Sequence, residues 1–407
     1  MTVLRNIGQL ATCPADAMQQ DAGLIDSAAL VFEGNKIAWV GSELDLPEHF
    51  SGHDSIDCGQ RLVTPGLIDC HTHLCFGGWR ENEFELRLQG RSYQEIAAAG
   101  GGIRSTVAAT RSSPAAQLAG KALRCLEGVL DLGVTTLECK SGYGLEKQTE
   151  LKQLEVYRQL DGQQPVDLIP TFLGAHMVPD EYQDRRQEYV RLLCDDLIPT
   201  VSDQQLARFC DIFVEEGAFN LAEAGKILAA AKRAGLGLKV HADQLSHGGG
   251  AQLAADFGAV SAEHLEYASE EGIEALAKAG TVAVSLPLAS LYLRERYLPA
   301  RKMLEAGVKV AVATDFNPGS APSYHLPLAM TLACINQHMT PQEVLMGATT
   351  VAARAIGTEN RIGSLLPGFD ADIAVFEASS VNHWLYHFQA NACCGVIKFG
   401  HWEKKFS

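Results

Sequence analysis

Eight short β-rich runs alternate with helical stretches between residues 66 and 320, and this alternation limits the fold more than any other feature. The runs are GLIDCHTHL (66–74), VTTLECKSGY (134–143), VDLIPTFLGAH (166–176), FCDIFVEEGAF (209–219), LGLKVHADQ (236–244), AVSAEHLEY (259–267), TVAVSLPLAS (281–290) and VKVAVATDFNPGS (308–320). Strands joined through helices lie parallel in one sheet. Eight such units predict a closed (β/α)8 barrel, an α/β fold of the TIM type, with a doubly wound open sheet as the competitor. Nearly every run carries its His, Asp, Glu, Lys or Gln at its final residues. A barrel converges those positions on one face, and that favours the barrel. The intervening segments 115–133 and 220–237 read as helices, each with a glycine where a helix ends.

The two ends of the chain fall outside this pattern. Residues 1–64 include AALVFEGNKIAWVG, two β-rich runs around a turn at Gly34-Asn35, and residues 365–407 carry further short strands in FDADIAVFE and CCGVIKFGHW. The expected organisation is a small β-sandwich built from both termini beside a barrel over 65–364. Before the C-terminal strands, MTPQEVLMG reads as a helix start, with Thr340 as N-cap, Pro341 in the first position and Glu343 completing a capping box.

Hydrophobic residues make up 47% of the 407, enough for a substantial core. No apolar run approaches the roughly 20 residues needed to span a bilayer. The first twenty residues lack the apolar stretch of a signal peptide, so a cytoplasmic protein is expected. The formal charge of −16 argues against nucleic acid or an anionic membrane as partner. It also makes any arginine in the site informative, because an anionic substrate needs a local positive group. The 11 cysteines are an odd number without CxxC spacing, as suits reduced thiols rather than a disulfide framework.

Two histidines two residues apart on a strand share one face, so His71 and His73 point the same way. A buried strand does not take two imidazoles without giving them partners, and one metal ion serves for both. His241 ends the fifth run, His264 the sixth, and Asp315 lies near the end of the eighth. With His71, His73 and His241 as nitrogen ligands and Asp315 as the carboxylate, the expected cofactor is one divalent ion, zinc or iron.

These residues resemble the amidohydrolase superfamily, whose first barrel strand bears HxH and whose eighth ends in a catalytic Asp. GSLLPGFDADIAVF (363–376) is similar to the closing motif of that superfamily. Many members hold a second metal through a carboxylated lysine ending strand four. FVEEGAF has no lysine there, which favours a single ion and leaves Glu215 or Glu216 as possible stand-ins. More narrowly, HTHLCFGGWRENEFELRLQGRSYQEIAAAGGGI, KSGYGL, FLGAHMVP, HADQLS and TDFNPGSAP resemble the imidazolonepropionase family. The resemblance implies 4-imidazolone-5-propanoate as the small-molecule substrate and N-formimidoyl-L-glutamate as product, in histidine degradation.

That chemistry needs an activated water, a group to polarise the lactam carbonyl and a clamp for the propionate. Asp315 is expected to take a proton from water and return it to the departing nitrogen, and His264 to stabilise the oxyanion or relay a proton. Arg80 is the expected carboxylate clamp, assisted by Tyr143, while His176 and Gln244 would bond the ring. The resemblance also assigns Asn317, Gly319 and Ser320 to the substrate, through a loop able to present backbone donors. His247 is expected to be a loop residue without a catalytic role, and His383 and His387 to be structural, within the terminal sandwich. Three successive glycines, Gly100 to Gly102, suggest a mobile loop over 95–106. A homodimer is expected. The alternatives are a purine or pyrimidine deaminase, which would need no carboxylate clamp, and a non-catalytic scaffold, which should have lost its ligands.

Overall fold

The eight expected barrel strands all form, in order, in a computed structural model of the protein that describes residues 1–50, 52–91, 95 and 101–406. Five strands precede the barrel: β1 (Thr2–Ala11), β2 (Leu24–Glu33), β3 (Lys36–Ser42), β4 (Asp54–Asp57) and β5 (Leu62–Pro65). The barrel comprises β6 (Leu67–Asp69), β7 (Val134–Lys140), β8 (Asp167–Ala175), β9 (Phe209–Val214), β10 (Gly237–Ala242), β11 (Ser261–His264), β12 (Val282–Ser285) and β13 (Val310–Val312). Each pairs parallel with the next. Just beyond the ends of β6 and β13 the ladder closes: Thr72 bridges Phe316 in parallel, His73 N donates to Phe316 O at 2.8 Å, and Asp315 N donates to His71 O at 3.0 Å. His71 and His73 thus lie past the regular strand, in the backbone that seals the barrel.

β14 (Ile373–Phe376), β15 (Cys393–Lys398) and β16 (His401–Lys404) join the N-terminal strands in one eight-stranded sheet, ordered β16-β15-β14-β5-β1-β2-β3 with β4 on β1. Leu4, Ile7, Leu30, Val63, Ile373 and Ile397 meet in its apolar core, so residues far apart in sequence bury one another's surface. The chain passes between the two sheets at Gly66, whose N–H donates to Asp372 O in the terminal sheet while Leu67 N donates to Gly133 O in the barrel. A β-carbon at Gly66 would fall 2.3 Å from Thr135 Oγ1, so the crossing needs a residue without a side chain.

Helices 115–131 and 221–233 form where expected, and Asn220 and Glu223 complete a capping box for the second. The capping box at Thr340 and Glu343 is also present. His383 lies in a short helix, Val381–Tyr386, with His387 as its C-cap; Ser380 caps that helix and Trp384 stacks on Phe376 at 3.9 Å. The expected mobile loop over 95–106 lies partly outside the described residues, and its remainder is ordered as a helix from Ile103, entered through Gly102 at φ 73°. All eleven cysteines are free thiols. Among the described residues no helix is long and apolar enough to cross a membrane.

Candidate metal centre and active site

The barrel mouth brings five of the expected residues into one buried cluster. The rings of His71 and His241 lie 4.6 Å apart, those of His241 and His264 5.4 Å, and those of His71 and His73 5.4 Å. Asp315 Oδ1 lies 3.4 Å from Nε2 of both His71 and His73. One donor atom from each of His71, His73 and Asp315 falls within 4.8 Å of the others, and the same holds for His71, His241 and His264. Among the described residues, neither ring nitrogen of His71 nor Nε2 of His241 has a hydrogen-bond partner, although all are buried. A buried imidazole without a partner is costly. A divalent cation removes that cost, so the donor set fits one.

The electrostatics favour the metal-binding forms of His71, His73 and Asp315. Burial holds His71 well below the usual imidazole pKa, and Lys140 and the neighbouring imidazoles push the same way. His73 is lowered by burial, against the opposing pull of Asp315. Asp315 is destabilised as an anion by burial, but its hydrogen bond to His73 and the charges of His264, His73 and His241 hold it below the ordinary carboxylate range. His264 differs: burial lowers it, but Glu266, 3.6 Å from Nδ1, raises it overall. His264 and Asp315 both take left-handed backbone, with φ 73° and 56°. Non-glycine residues seldom adopt that region, and strain of this kind concentrates at functional positions.

The second ring of residues is built on the loops. Tyr143 and His176 follow strands β7 and β8, and their rings lie 5.4 Å apart, with His73 5.3 Å from His176. Nδ1 of His176 meets the Gly142 carbonyl at 3.0 Å; a carbonyl only accepts, so Nδ1 carries the proton and Nε2 is left as an acceptor. Arg80 sits before the helix Glu81–Leu88, and its Nε donates to Glu83 at 3.1 Å, leaving the outer nitrogens of the fork facing Gly319.

The loop after Asp315 differs from what its composition suggested. Asn317 Oδ1 accepts the N–H groups of Gly319 and Ser320 at 2.7 and 2.8 Å, and its Nδ2 donates to Asp315 O and Ser320 Oγ. The two backbone donors expected for a substrate are taken up inside the loop, so the Asn317 side chain shapes the turn that presents Asp315. Gln244 lies on the loop after β10, next to Leu245 and Ser246, whose N–H groups Glu215 accepts at 2.9 and 3.3 Å. Glu215 is thereby engaged as a loop anchor, and Glu216 is exposed. His247 is an exposed loop residue.

Sequence patterns gave no hint of the charges beneath the cluster. Asp211 on β9 places Oδ2 3.0 Å from His241 Nδ1 and 2.8 Å from Lys140 Nζ, which also contacts Glu138 at 2.8 Å. Asp211 thus orients His241 from behind, with Nε2 directed to the cluster. The signal that marks these residues is a polar side chain at an alternate, inward position of a strand, but only the fold shows which strand it faces.

Comparison with known proteins follows the geometry. The amidohydrolase family model matches residues 62–400. The imidazolonepropionase of Bacillus velezensis is 45% identical over 98% of this chain and 96% of its own length, and that of Fusobacterium nucleatum is 45% identical over 98% and 97%. Among solved structures, a zinc-bound adenosine deaminase from Xanthomonas campestris superposes with a TM-score of 0.70 at 18% identity, covering 99% of this chain and 93% of its own. An ochratoxinase from A. niger gives 0.71 at 20% identity, covering 99% and 95%. The structural likenesses establish the barrel fold, and the full-length sequence likeness places the chain more narrowly: it belongs to the imidazolonepropionases within the amidohydrolase family.

Proposed function

We propose that the protein hydrolyses the imidazolone ring of 4-imidazolone-5-propanoate to N-formimidoyl-L-glutamate. The observation that carries this reading is the meeting of two features at one barrel mouth: the buried His71, His73, His241 and Asp315 cluster, and Arg80 lying against the loop that follows Asp315. A deaminase acting on a neutral base has no use for the second.

His71, His73, His241 and Asp315 would hold a divalent ion, zinc or iron, which when bound supplies Lewis acidity and a nucleophilic water near neutral pH. The outer nitrogens of Arg80 pair with the propionate and fix the ring's orientation, Nε being held by Glu83. Tyr143 assists in holding the substrate, and His176 Nε2 accepts a ring N–H. Gln244 offers an amide to the ring from the anchored loop, and Gly319 and Ser320 form the wall behind the propionate. Asp315 takes a proton as the water oxygen bonds to the lactam carbonyl carbon. His264, which Glu266 keeps protonated to higher pH than an ordinary histidine, donates to the developing oxyanion. As the carbonyl carbon–nitrogen bond breaks, Asp315 returns the proton to the leaving nitrogen and a carboxylate forms. The same proposal includes a place in histidine degradation, a cytoplasmic setting consistent with eleven free thiols, and a homodimer.

The test follows imidazolone absorbance when purified protein meets the substrate, with a chelator-stripped sample alongside. Turnover that vanishes on stripping and returns with zinc or iron is expected. A metal-loaded sample with no turnover would overturn the substrate assignment.

A further inference from the structure

Directly beneath the candidate metal centre lies a second set of ligating groups. Asp211, His241 and Glu263 each place one donor within 4.8 Å of the others, and all three are buried. Glu263 Oε2 is enclosed with no hydrogen-bond partner among the described residues. A carboxylate buried this deeply needs a positive neighbour. Lys140 supplies it at Asp211, its Nζ lying 2.8 Å from Oδ2 and 2.8 Å from Glu138 Oε1. Lys140, Glu138, Asp211 and Glu263 are all wholly buried. Three carboxylates face two ammonium groups here, the second being Lys239, 3.2 Å from Glu263 Oε1.

We propose that the Lys140 ammonium occupies, and so closes, a cation site between the buried carboxylates of Asp211 and Glu263 behind His241, and that this keeps the neighbouring centre to one metal ion. The proposal rests on the single-ion reading above. An internal ammonium carries one positive charge where a divalent ion would carry two, and it cannot be removed by a chelator or exchanged. Buried carboxylate oxygens suit divalent cations once the ammonium is gone. Enclosed between the carboxylates of Asp211 and Glu138, each 2.8 Å from Nζ, Lys140 is held as an ammonium. Lys140 is a positioning and exclusion residue in this account; it does not touch the substrate.

The test replaces Lys140 and counts metal. K140A alone unbalances the buried charge and is expected to lose stability. The pair K140A/E138Q removes one charge of each sign, leaves Asp211, His241 and Glu263 in place, and opens the volume of the lysine stem. Each protein is equilibrated with excess zinc chloride, desalted and analysed for bound zinc, with circular dichroism to check the fold. The variant is expected to hold one zinc more than the wild type, and adding E263Q should remove it. K140M/E138Q, which fills the space without charge, should match the wild type. Thermal midpoints give a second readout, because zinc beyond the first equivalent should raise that of K140A/E138Q alone. With manganese in place of zinc, a spin-coupled signal should appear only in K140A/E138Q. Equal counts and equal midpoint responses in K140A/E138Q and the wild type would overturn the proposal. The wild-type count separately tests the single-ion reading, since only the difference between the two proteins reports on Lys140.

Discussion

The Arg80 guanidinium lies against Gly319, so that a β-carbon added to the glycine would fall 2.4 Å from Nη1 and 2.5 Å from Cζ. The atoms in the way are the far end of a flexible side chain. A methyl group would therefore push the fork aside without disturbing the barrel. In G319A, the thermal midpoint should stay within about 2 °C of the wild type, and KM should rise about tenfold, the loss expected for one charge-assisted hydrogen bond. R80A should raise KM further and leave kcat less affected, if the clamp binds ground and transition states alike. An unchanged KM in both variants would place the propionate elsewhere.

Asp315 is prepared for its role by features that a side-chain amide would lose. Its carboxylate lies 3.4 Å from both His71 and His73, and its backbone is held at φ 56° by a loop closed through Asn317. D315N keeps the shape and removes the base. Turnover should fall by at least ~10²-fold, the scale of general-base catalysis, and the protein should lose metal to a chelator more readily. A rate near that of the wild type would remove Asp315 from proton transfer.

Much of this site was legible because its residues sit at strand ends. Parallel alternation fixed the barrel, and the barrel alone determines that residues 71, 73, 241 and 315 meet. The capping box at Thr340 is local chemistry and could be read directly. What could not be read depends on which inward-facing residues oppose one another across the barrel. Lys140 ends a run that looks like any other, and its pairing with Asp211 is set by the register of neighbouring strands. The turn built by Asn317 was hidden for a different reason. Composition suggested free backbone donors, but an Asn two residues ahead of a glycine satisfies them itself. The helix at 381–386 follows from Ser380 as N-cap, a short signal easily outweighed by the β-rich flanks.

Glu343 gives a pH-dependent prediction away from the site. Burial raises its pKa, but Arg301 and the Thr340 N–H outweigh that and leave it lowered. The stabilisation it provides is therefore complete above the unfolded-state value of about 4.3 and is lost as pH falls through the lower folded value. E343Q should cost about 1 kcal/mol near pH 7, as the ion pair with half-exposed Arg301 and the cap are weakened. The difference in denaturation midpoint between E343Q and the wild type should shrink below pH ~4. A difference that is constant from pH 7 to pH 3 would show that the charge of Glu343 contributes nothing.

Glu215 directly follows β9, the strand at which an added metal ligand was conceivable, and its hydrogen bonds point to another task. It accepts from Leu245 N and Ser246 N and also pairs with Ser246 Oγ, all on the loop that carries Gln244. Removing the carboxylate leaves two backbone donors unsatisfied and frees the loop, at a cost of about 1–3 kcal/mol per group. E215A should therefore bind the same amount of metal as the wild type, with kcat/KM lowered about tenfold or more and faster amide exchange at residues 244–246. The two roles separate cleanly in this experiment: a loop anchor changes exchange and catalysis, whereas a ligand changes metal content. Loss of bound metal in E215A, with exchange in the loop unaltered, would return Glu215 to the ligand set.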